Sequence, residues 1–315
     1  MLLIAAGLFA AFTGFNDAGA LVGIGLRVRG IRPVVALSVL VAAVVVAPLA
    51  AGTAVATTLN ERLVSFGSDL RWPLLLGILT AVLVTGVLAF CRLPTSLTLA
   101  LIGGISGAGL GTGAEVDWTV VGLVLLAAAA APFVGAFAAL LVCRVLAALP
   151  APEGAGRRLH RLHVGAYLAS CLAYGANDGQ KMIAVYAALH GGGVPAYATS
   201  PTALALVAGC FLLGAVFGLP RLAASIGGGL AASRTDTVVV TEATGAGVVF
   251  GTALLGAPVS MTQSLSGAMI GTGLVRRSRR VRWRAVLRIG MAWLLTLPTA
   301  LAVAAVTGAA LSVRW

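Results

Sequence analysis

Apolar runs long enough to cross a membrane follow one another along the whole chain. A helix needs about 20 mainly apolar residues to cross a bilayer. Such runs lie near residues 2–25, 34–57, 73–91, 94–112, 118–143, 164–189, 202–219, 237–256, 258–275 and 287–310. Only 10% of the 315 residues are charged, against about 25% in soluble domains. The sequence therefore predicts an all-α polytopic membrane protein with about ten membrane crossings, and it excludes an ordinary soluble enzyme.

The arginines predict how this protein lies in the cell membrane. The net charge is +12, and Lys181 is the only lysine. If both termini lie outside, all the arginines except Arg62, Arg71 and Arg314 fall in cytoplasmic loops, as the positive-inside rule requires. The cluster at 276–288 is interpreted as a cytoplasmic anchor, with anionic lipid binding as the alternative. The basic charge is thus an orientation signal, and no nucleic-acid partner is expected.

Two kinds of motif recur in both halves of the chain. Asn-Asp pairs lie at 16–17 and 177–178, and Pro-x-Ser-x-Thr segments lie at 94–98 and 258–262. With five crossings in each half, the second half would be inserted upside down relative to the first, as in secondary transporters. This predicts inverted repeats at 1–143 and 163–315, joined by a cytoplasmic linker at 144–162. The short, glycine-rich runs 94–112 and 258–275 are predicted to be broken or re-entrant helices.

The Asn-Asp pairs are candidates for a cation site. A carboxylate inside the bilayer is costly unless it is paired, solvated or bound to a cation. A hydrogen bond between helices is the alternative explanation for one such aspartate, but two at symmetric positions favour a function. The oxygens of Asn16, Asp17, Asn177 and Asp178 would suit Na⁺, and the aspartates alone could instead carry protons.

The Pro-x-Ser-x-Thr segments are candidates for an anion site. The start of a helix exposes unpaired N–H groups and the positive end of the helix dipole, so it attracts anions. A serine cap behind a proline is the simpler alternative for one copy. Lys181 follows Asp178 by three residues and could either neutralise it or help to hold an anion. The predicted donors are Ser96, Thr98, Gln180, Lys181, Ser260, Thr262 and Gln263.

The remaining polar residues predict no further chemistry. The sequence has no His/Cys cluster, catalytic triad or nucleotide-binding loop, so neither an enzyme nor a cofactor is expected, apart from a coupling cation. Glu242 is expected at a membrane interface and His163 in the basic linker.

The motifs resemble those of the inorganic phosphate transporter (PiT) family. The similar stretches are GFNDAGA at 14–20, LPTSLTLALIGGISGAG at 93–109, YGANDGQK at 174–181, APVSMTQSLSGAMIGTG at 257–273 and VRWRAVLRIGMAWLLTLP at 281–298. The resemblance implies an inverted-repeat fold, phosphate symport driven by Na⁺ or H⁺, and a homodimer. It implies that the two Asn-Asp pairs coordinate the cation. It also implies that the oxyanion is contacted by Ser96, Thr98, Ser260, Thr262 and Gln263, while Gln180 and Lys181 match the family's Gln-Lys.

The chain departs from the family pattern at several potential ligands. Ala20 replaces a second asparagine, Leu97 and Met261 replace threonines, and Leu99 and Tyr174 replace histidines. These changes bear on the substrate and the stoichiometry more than on the fold. The alternatives to phosphate symport are transport of another tetrahedral oxyanion, such as sulfate, and a non-transporting membrane sensor or subunit.

Overall fold

The computed structural model is almost entirely helical. It describes residues 2–28, 30–65, 71–91, 95–148, 155–190, 194–227, 234–275 and 281–312. Pro94, linker residues 149–154, arginine-cluster residues 276–280 and Arg314 lie outside the described residues. The α-helices are α1 (Leu2–Thr13), α2 (Gly19–Gly25), α3 (Pro33–Ala51), α4 (Ala54–Thr57), α5 (Arg71–Phe90), α6 (Leu97–Thr112), α7 (Trp118–Ala148), α8 (Ala155–Tyr174), α9 (Gln180–His190), α10 (Val194–Ala198), α11 (Pro201–Gly227), α12 (Thr235–Leu254), α13 (Met261–Val275) and α14 (Trp283–Ser312).

Three π-helical turns and two very short strands complete the described elements. The π turns are π1 (Gly14–Ala18), π2 (Thr58–Arg62) and π3 (Gly175–Gly179). Because π1 joins α1 to α2 and π3 joins α8 to α9, each forms part of one continuous helical segment. Strands β1 (Val64–Ser65) and β2 (Glu115–Val116) pair antiparallel. The sequence did not predict this pairing, because two-residue strands are too short to show an alternating pattern.

Seven helices in the described part of the chain are long and apolar enough to cross a membrane. They are Leu2–Gly25, Pro33–Ala51, Trp72–Phe90, Trp118–Ala148, Pro201–Gly218, Thr235–Leu254 and Trp283–Ser312. These match seven of the predicted runs, with ends that differ by a few residues. The largest difference is in the second, which ends at Ala51 rather than at residue 57. The other three predicted runs correspond to α6, to α13 and to the continuous segment from α8 to α9. Ten crossings therefore remain a prediction.

The two Pro-x-Ser-x-Thr segments each lead into a short helix. Helices α6 and α13 contain 16 and 15 residues. At 1.5 Å per residue they are only about 24 and 22 Å long, less than the roughly 30 Å of a bilayer core. Residues 95–96 and 257–260, which precede them, are not helical. The interruptions predicted from the sequence coincide with these residues.

Each short helix packs against the last long helix of the opposite half. Helix α6 contacts α14, and α13 contacts α7. Glycines permit the close approach: a Cβ added to Gly103 would lie 2.6 Å from the carbonyl oxygen of Leu297, and one added to Gly271 would strike the carbonyl of Ala136. Small residues allow helix backbones to approach in this way in membrane proteins. The two halves are thus packed together through exchanged, matching contacts.

The helices that carry the Asn-Asp pairs show the same exchange. The segment of α1 and π1 packs against α11 from the second half, whereas α8 and π3 pack against α3 from the first. A Cβ on Gly14 would strike the carbonyl of Phe211, and one on Gly175 would strike that of Ala43. Each Asn-Asp pair follows its glycine at the same spacing, so each pair lies at a contact between the halves.

The glycine contacts predict how the protein responds to added methyl groups. We expect Gly107→Ala and Gly271→Ala to destabilise the fold by about 1–3 kcal/mol each, because the new Cβ would overlap a backbone carbonyl. Gly122→Ala is the matched control, because nothing lies within 4 Å of a Cβ at that position. Thermal unfolding of the purified full-length protein, followed by tryptophan fluorescence, measures the effect. Equal transition temperatures for all three variants would contradict the packing described above.

Candidate functional site

Both Asn-Asp pairs lie in π-helical turns. Asn16 and Asp17 occupy π1, and Asn177 and Asp178 occupy π3. A π turn inserts an extra residue into a helix and is frequently found at functional sites. The sequence placed both pairs inside apolar helices but gave no signal for the π geometry. The wider turn is therefore a feature that only the structure reveals, and it occurs at matching positions in the two halves.

The first pair holds a buried carboxylate that contacts the second half. Asp17 is 7% exposed, and its Oδ1 accepts a hydrogen bond of 2.8 Å from the Nδ2 of Asn16. The hydroxyl of Tyr174, the last residue before π3, donates to Oδ2 of Asp17 at 3.4 Å. Asp178 and Lys181 are also near enough to interact electrostatically with Asp17. The sequence identifies Tyr174 only as a residue that replaces a histidine of the family pattern. The structure shows that its hydroxyl links the two Asn-Asp motifs.

Lys181 lies where the second Asn-Asp pair meets both Pro-x-Ser-x-Thr segments. Its side chain is buried, and its Nζ donates to Oδ1 of Asp178 at 2.8 Å, to Oγ1 of Thr98 at 2.7 Å and to the carbonyl oxygen of Val259 at 2.6 Å. An ammonium group has three hydrogens to donate, so all three are used. Thr98 belongs to the first segment, and Val259 to the second. One cation therefore holds together residues from both halves.

Several buried oxygens near these motifs have no hydrogen-bond donor. Among the described residues, Oδ1 of Asn177, Oδ2 of Asp178 and Oε1 of Gln263 are buried without a partner. The amide nitrogen of Asn177 donates to the carbonyl oxygen of Ala257 at 3.4 Å. Unpaired buried acceptors are costly. Amide and carboxylate oxygens are the ligands that hard cations prefer, so Asn177 and Asp178 have the chemistry of a cation site.

The hydroxyls of the two Pro-x-Ser-x-Thr segments make different hydrogen bonds. Oγ of Ser96 accepts from the backbone N–H of Leu99 at 3.3 Å and so caps α6, which is the simpler role considered for it. Oγ1 of Thr98 donates to the carbonyl oxygen of Val259 at 3.3 Å. Ser260 and Thr262 share a hydrogen bond of 2.9 Å. These hydroxyls lie at the starts of α6 and α13, where helix N–H groups are unpaired.

The side chain of Gln180 makes its hydrogen bonds with backbone groups. Its Oε1 accepts from the N–H groups of Val55 at 2.9 Å and Ala56 at 3.3 Å, and its Nε2 donates to the carbonyl oxygen of Ala176 at 2.7 Å. The side chain thus joins the start of α4 to π3. Contact with an oxyanion, as the resemblance implies, would require these bonds to be released.

A small cavity lies beside the Asp178–Lys181 pair. One side is charged, and the other is formed by apolar side chains of α1 and α6. Leu97 contributes to this apolar wall, at a position where the family pattern has a threonine. The lining residues are Phe9, Thr13, Leu97, Thr98, Leu101, Asp178 and Lys181.

A second buried pair lies elsewhere, and the sequence interpretation of its members was wrong. His163 and Glu242 are 0% and 1% exposed, whereas the sequence places His163 in the basic linker and Glu242 at a membrane interface. Their Nδ1 and Oε2 atoms lie 2.9 Å apart, and Nε2 of His163 lies 2.9 Å from the carbonyl oxygen of Gly25. Glu242 lies seven residues into α12, between Thr241 and Ala243 and after a run of three valines. This depth in an apolar helix was the signal in the sequence that could have indicated burial.

Comparisons with known proteins agree with the motifs. The model of the phosphate transporter family matches residues 13–161 and 152–304. A probable low-affinity inorganic phosphate transporter of Mycobacterium leprae is 32% identical over 274 residues, which cover 81% of this chain and 64% of that protein. This chain therefore spans less than two thirds of the M. leprae protein. A protein of the same description from Rhizobium meliloti is 30% identical over 322 residues, covering 96% of this chain and 93% of its own.

A solved structure shares the fold. The sodium-dependent phosphate transporter superposes with a TM-score of 0.82 over all of both chains, at 18% sequence identity. The apolar helices and these relatives together indicate a multi-pass membrane protein. The chain belongs to the phosphate transporter family.

Proposed function

We propose that this protein is a secondary active transporter that carries inorganic phosphate across the cell membrane together with Na⁺ or H⁺. The observation that carries the proposal is the position of Lys181, whose buried ammonium group joins Asp178 to both Pro-x-Ser-x-Thr segments. The names of the related transporters support phosphate as the substrate. The neighbour described as sodium-dependent supports Na⁺ as the coupling ion.

The oxyanion would bind where Lys181 now contacts other acceptors. Each bond from Nζ ends on an oxygen of Asp178, Thr98 or Val259, and a phosphate oxygen can replace any of them. The N-termini of α6 and α13 add backbone donors and dipole charge. We propose that Ser96, Thr98, Ser260, Thr262 and Gln263 complete this site, with Gln180 joining it only after it leaves the start of α4.

The same lysine explains why a cation would bind together with the anion. If Lys181 turns toward phosphate, Asp178 loses its ion pair, and its other oxygen already has no donor. A buried carboxylate without compensation costs several kcal/mol. A Na⁺ ion or a proton at Asp178 removes that cost, so binding of the anion favours binding of the cation. Asn16, Asp17 and Asn177 are the further cation ligands in this proposal.

Alternating access would use the two halves as inverted repeats of five crossings each. We propose repeats at 1–143 and 163–315, with the linker 144–162 in the cytoplasm and both termini outside. The exchanged packing of α6 with α14 and of α13 with α7 supports this arrangement, as do the two ranges matched by the family model. A homodimer is proposed as the assembled form.

Uptake of labelled phosphate into proteoliposomes tests the function. We expect uptake to rise under an inward Na⁺ or H⁺ gradient, and a weaker effect of excess sulfate than of excess unlabelled phosphate. Sulfate that competes as strongly as phosphate would favour the general oxyanion permease. Absence of any oxyanion uptake by correctly folded protein would contradict transport.

Neutralising either aspartate tests the cation site. Asp17→Asn and Asp178→Asn should each lower gradient-driven uptake by about 10- to 100-fold, because a charge-assisted contact worth about 1.5–3 kcal/mol is lost. Glu115→Gln is the control, since that carboxylate is exposed on β2. Uptake at the wild-type rate in both aspartate variants would refute the assignment.

The role of Lys181 in transport can be tested separately from its role in folding. Lys181→Met should lower uptake by about 100-fold and also destabilise the protein, because Asp178 is left buried without a partner, at a cost of about 3–5 kcal/mol. The double variant Asp178→Asn/Lys181→Met removes both charges. It should recover much of the thermal stability but none of the uptake. Recovery of uptake in the double variant would show that the pair is only structural.

A further inference from the structure

The buried His163–Glu242 pair connects three helices away from the Asn-Asp pairs. His163 belongs to α8 and Glu242 to α12, while Gly25, whose carbonyl oxygen faces Nε2 of the histidine, ends α2. A second link between α8 and α12 comes from the hydroxyl of Ser170, which donates to the carbonyl oxygen of Glu242 at 3.1 Å. The histidine ring therefore links the end of α2, through Glu242, to α12.

The geometry of the pair requires one shared proton. The carbonyl oxygen of Gly25 can only accept, so Nε2 must carry a hydrogen. Between Nδ1 and Oε2, at 2.9 Å, a hydrogen bond again needs one proton. It is held either by the ring, giving an imidazolium and a carboxylate, or by the carboxyl group, giving a neutral pair. In both forms the pair carries one proton more than a neutral histidine beside a carboxylate.

Loss of this proton would leave two acceptors facing each other in a buried place. The lone pair of Nδ1 would point at Oε2, and Oε1 of Glu242 already has no hydrogen-bond partner among the described residues. In this tautomer the carboxylate has no donor at either oxygen, and with the remaining hydrogen on Nδ1 instead, the lone pair of Nε2 would face the carbonyl oxygen of Gly25. Such a state is strongly unfavourable, so removal of the proton favours a rearrangement that admits water or separates the groups.

The other ionisable groups near the pair lie on the elements packed against it. Helices α2, α3, α4 and α13 contain no acidic, basic, tyrosine or cysteine residue. The groups on the packed elements that bear on Glu242 are Tyr167 and Cys171 of α8, which interact with it electrostatically. The other ionisable groups of the elements packed against α2, α8 and α12 are Asp17 in π1, Arg27 after α2, Cys143 and Arg144 on α7, Arg157, Arg158, His160, Arg161 and Tyr174 on α8, Asp178 in π3, Cys210 and Arg221 on α11, and Arg234 and Asp236 at the start of α12.

We propose that His163 and Glu242 form a proton-binding site, separate from the Asn-Asp pairs, that holds the end of α2 against α8 and α12 while the proton is bound. Because α2 continues from π1, which contains Asp17, proton occupancy at this site is linked to the position of the helix that carries the first candidate cation ligand. The ligand of the site is H⁺ itself.

The small number of histidines makes the site directly observable. The chain has three, His160, His163 and His190. The full-length protein, labelled with ¹⁵N-histidine and held in lipid nanodiscs, would be titrated by NMR between about pH 5 and 9, the range in which histidines change charge. The variants His160→Gln and His190→Gln assign the signals by elimination, so His163 itself need not be altered. Transport is not measured, and the result is therefore independent of the proposed function.

We expect the ring signals of His163 to stay unchanged between about pH 5 and 9. In Glu242→Gln, which cannot share a proton with the ring, the His163 ring should titrate as an ordinary imidazole or stay neutral with a hydrogen on Nε2 only. A wild-type His163 whose ring signals follow an ordinary imidazole titration across this pH range would overturn the proposal. So would signals of His163 that are identical in the wild type and in Glu242→Gln.

Discussion

The site depends on one buried ammonium group. Lys181 is the chain's only lysine, and its three hydrogen bonds end on an aspartate of its own helical segment, a threonine of the first half and a backbone carbonyl of the second. Burial of a charge costs several kcal/mol unless it is paired and hydrogen-bonded. The two Pro-x-Ser-x-Thr segments must therefore stay close to π3 for as long as the lysine has no other partner. This constraint connects the fold to the proposed transport cycle.

The exchanged helix packing connects this constraint at Lys181 to helices of both halves. Because each short helix lies against the last long helix of the other half, we expect a movement at Lys181 to affect both halves. Glycines allow the backbones of these helix pairs to approach closely: Gly107 approaches the carbonyl of Leu301, and Gly271 approaches that of Ala136. The His163–Glu242 pair lies outside this arrangement and connects α2 to α8 and α12. Two buried polar clusters, at the Asn-Asp pairs and at His163, thus both connect the α1–α2 segment to the α8–α9 segment.

Much of the fold could be predicted because it depends on simple patterns. Apolar runs located the long helices, and the repeated motifs located α6 and α13 with their preceding breaks. The sequence could not show the π turns, since a π turn has no periodic signature that distinguishes it from the surrounding helix. The hydrogen bond from Tyr174 to Asp17 joins residues 157 positions apart, which only the folded chain reveals.

The errors have a common physical cause. His163 and Glu242 were assigned by their distance from the predicted ends of the apolar runs, but a polar pair can be buried near a helix end if its members satisfy one another. Gln180 stays a predicted oxyanion contact, but in this structure the N–H groups of Val55 and Ala56 at the start of α4 hold its amide oxygen. In each case a partner that is distant in sequence determined what the side chain does.

Because the chain has a single lysine, the proposed movement of Lys181 from Asp178 to the oxyanion can be measured by NMR without resonance assignment. Protein labelled with ¹⁵N at the lysine side chain gives one ammonium resonance, that of Lys181. If the lysine leaves Asp178 for the oxyanion, this resonance should shift saturably as phosphate is added, more strongly in the presence of the coupling cation, and it should not respond to chloride. A resonance that stays unchanged at phosphate concentrations that saturate uptake would contradict the account.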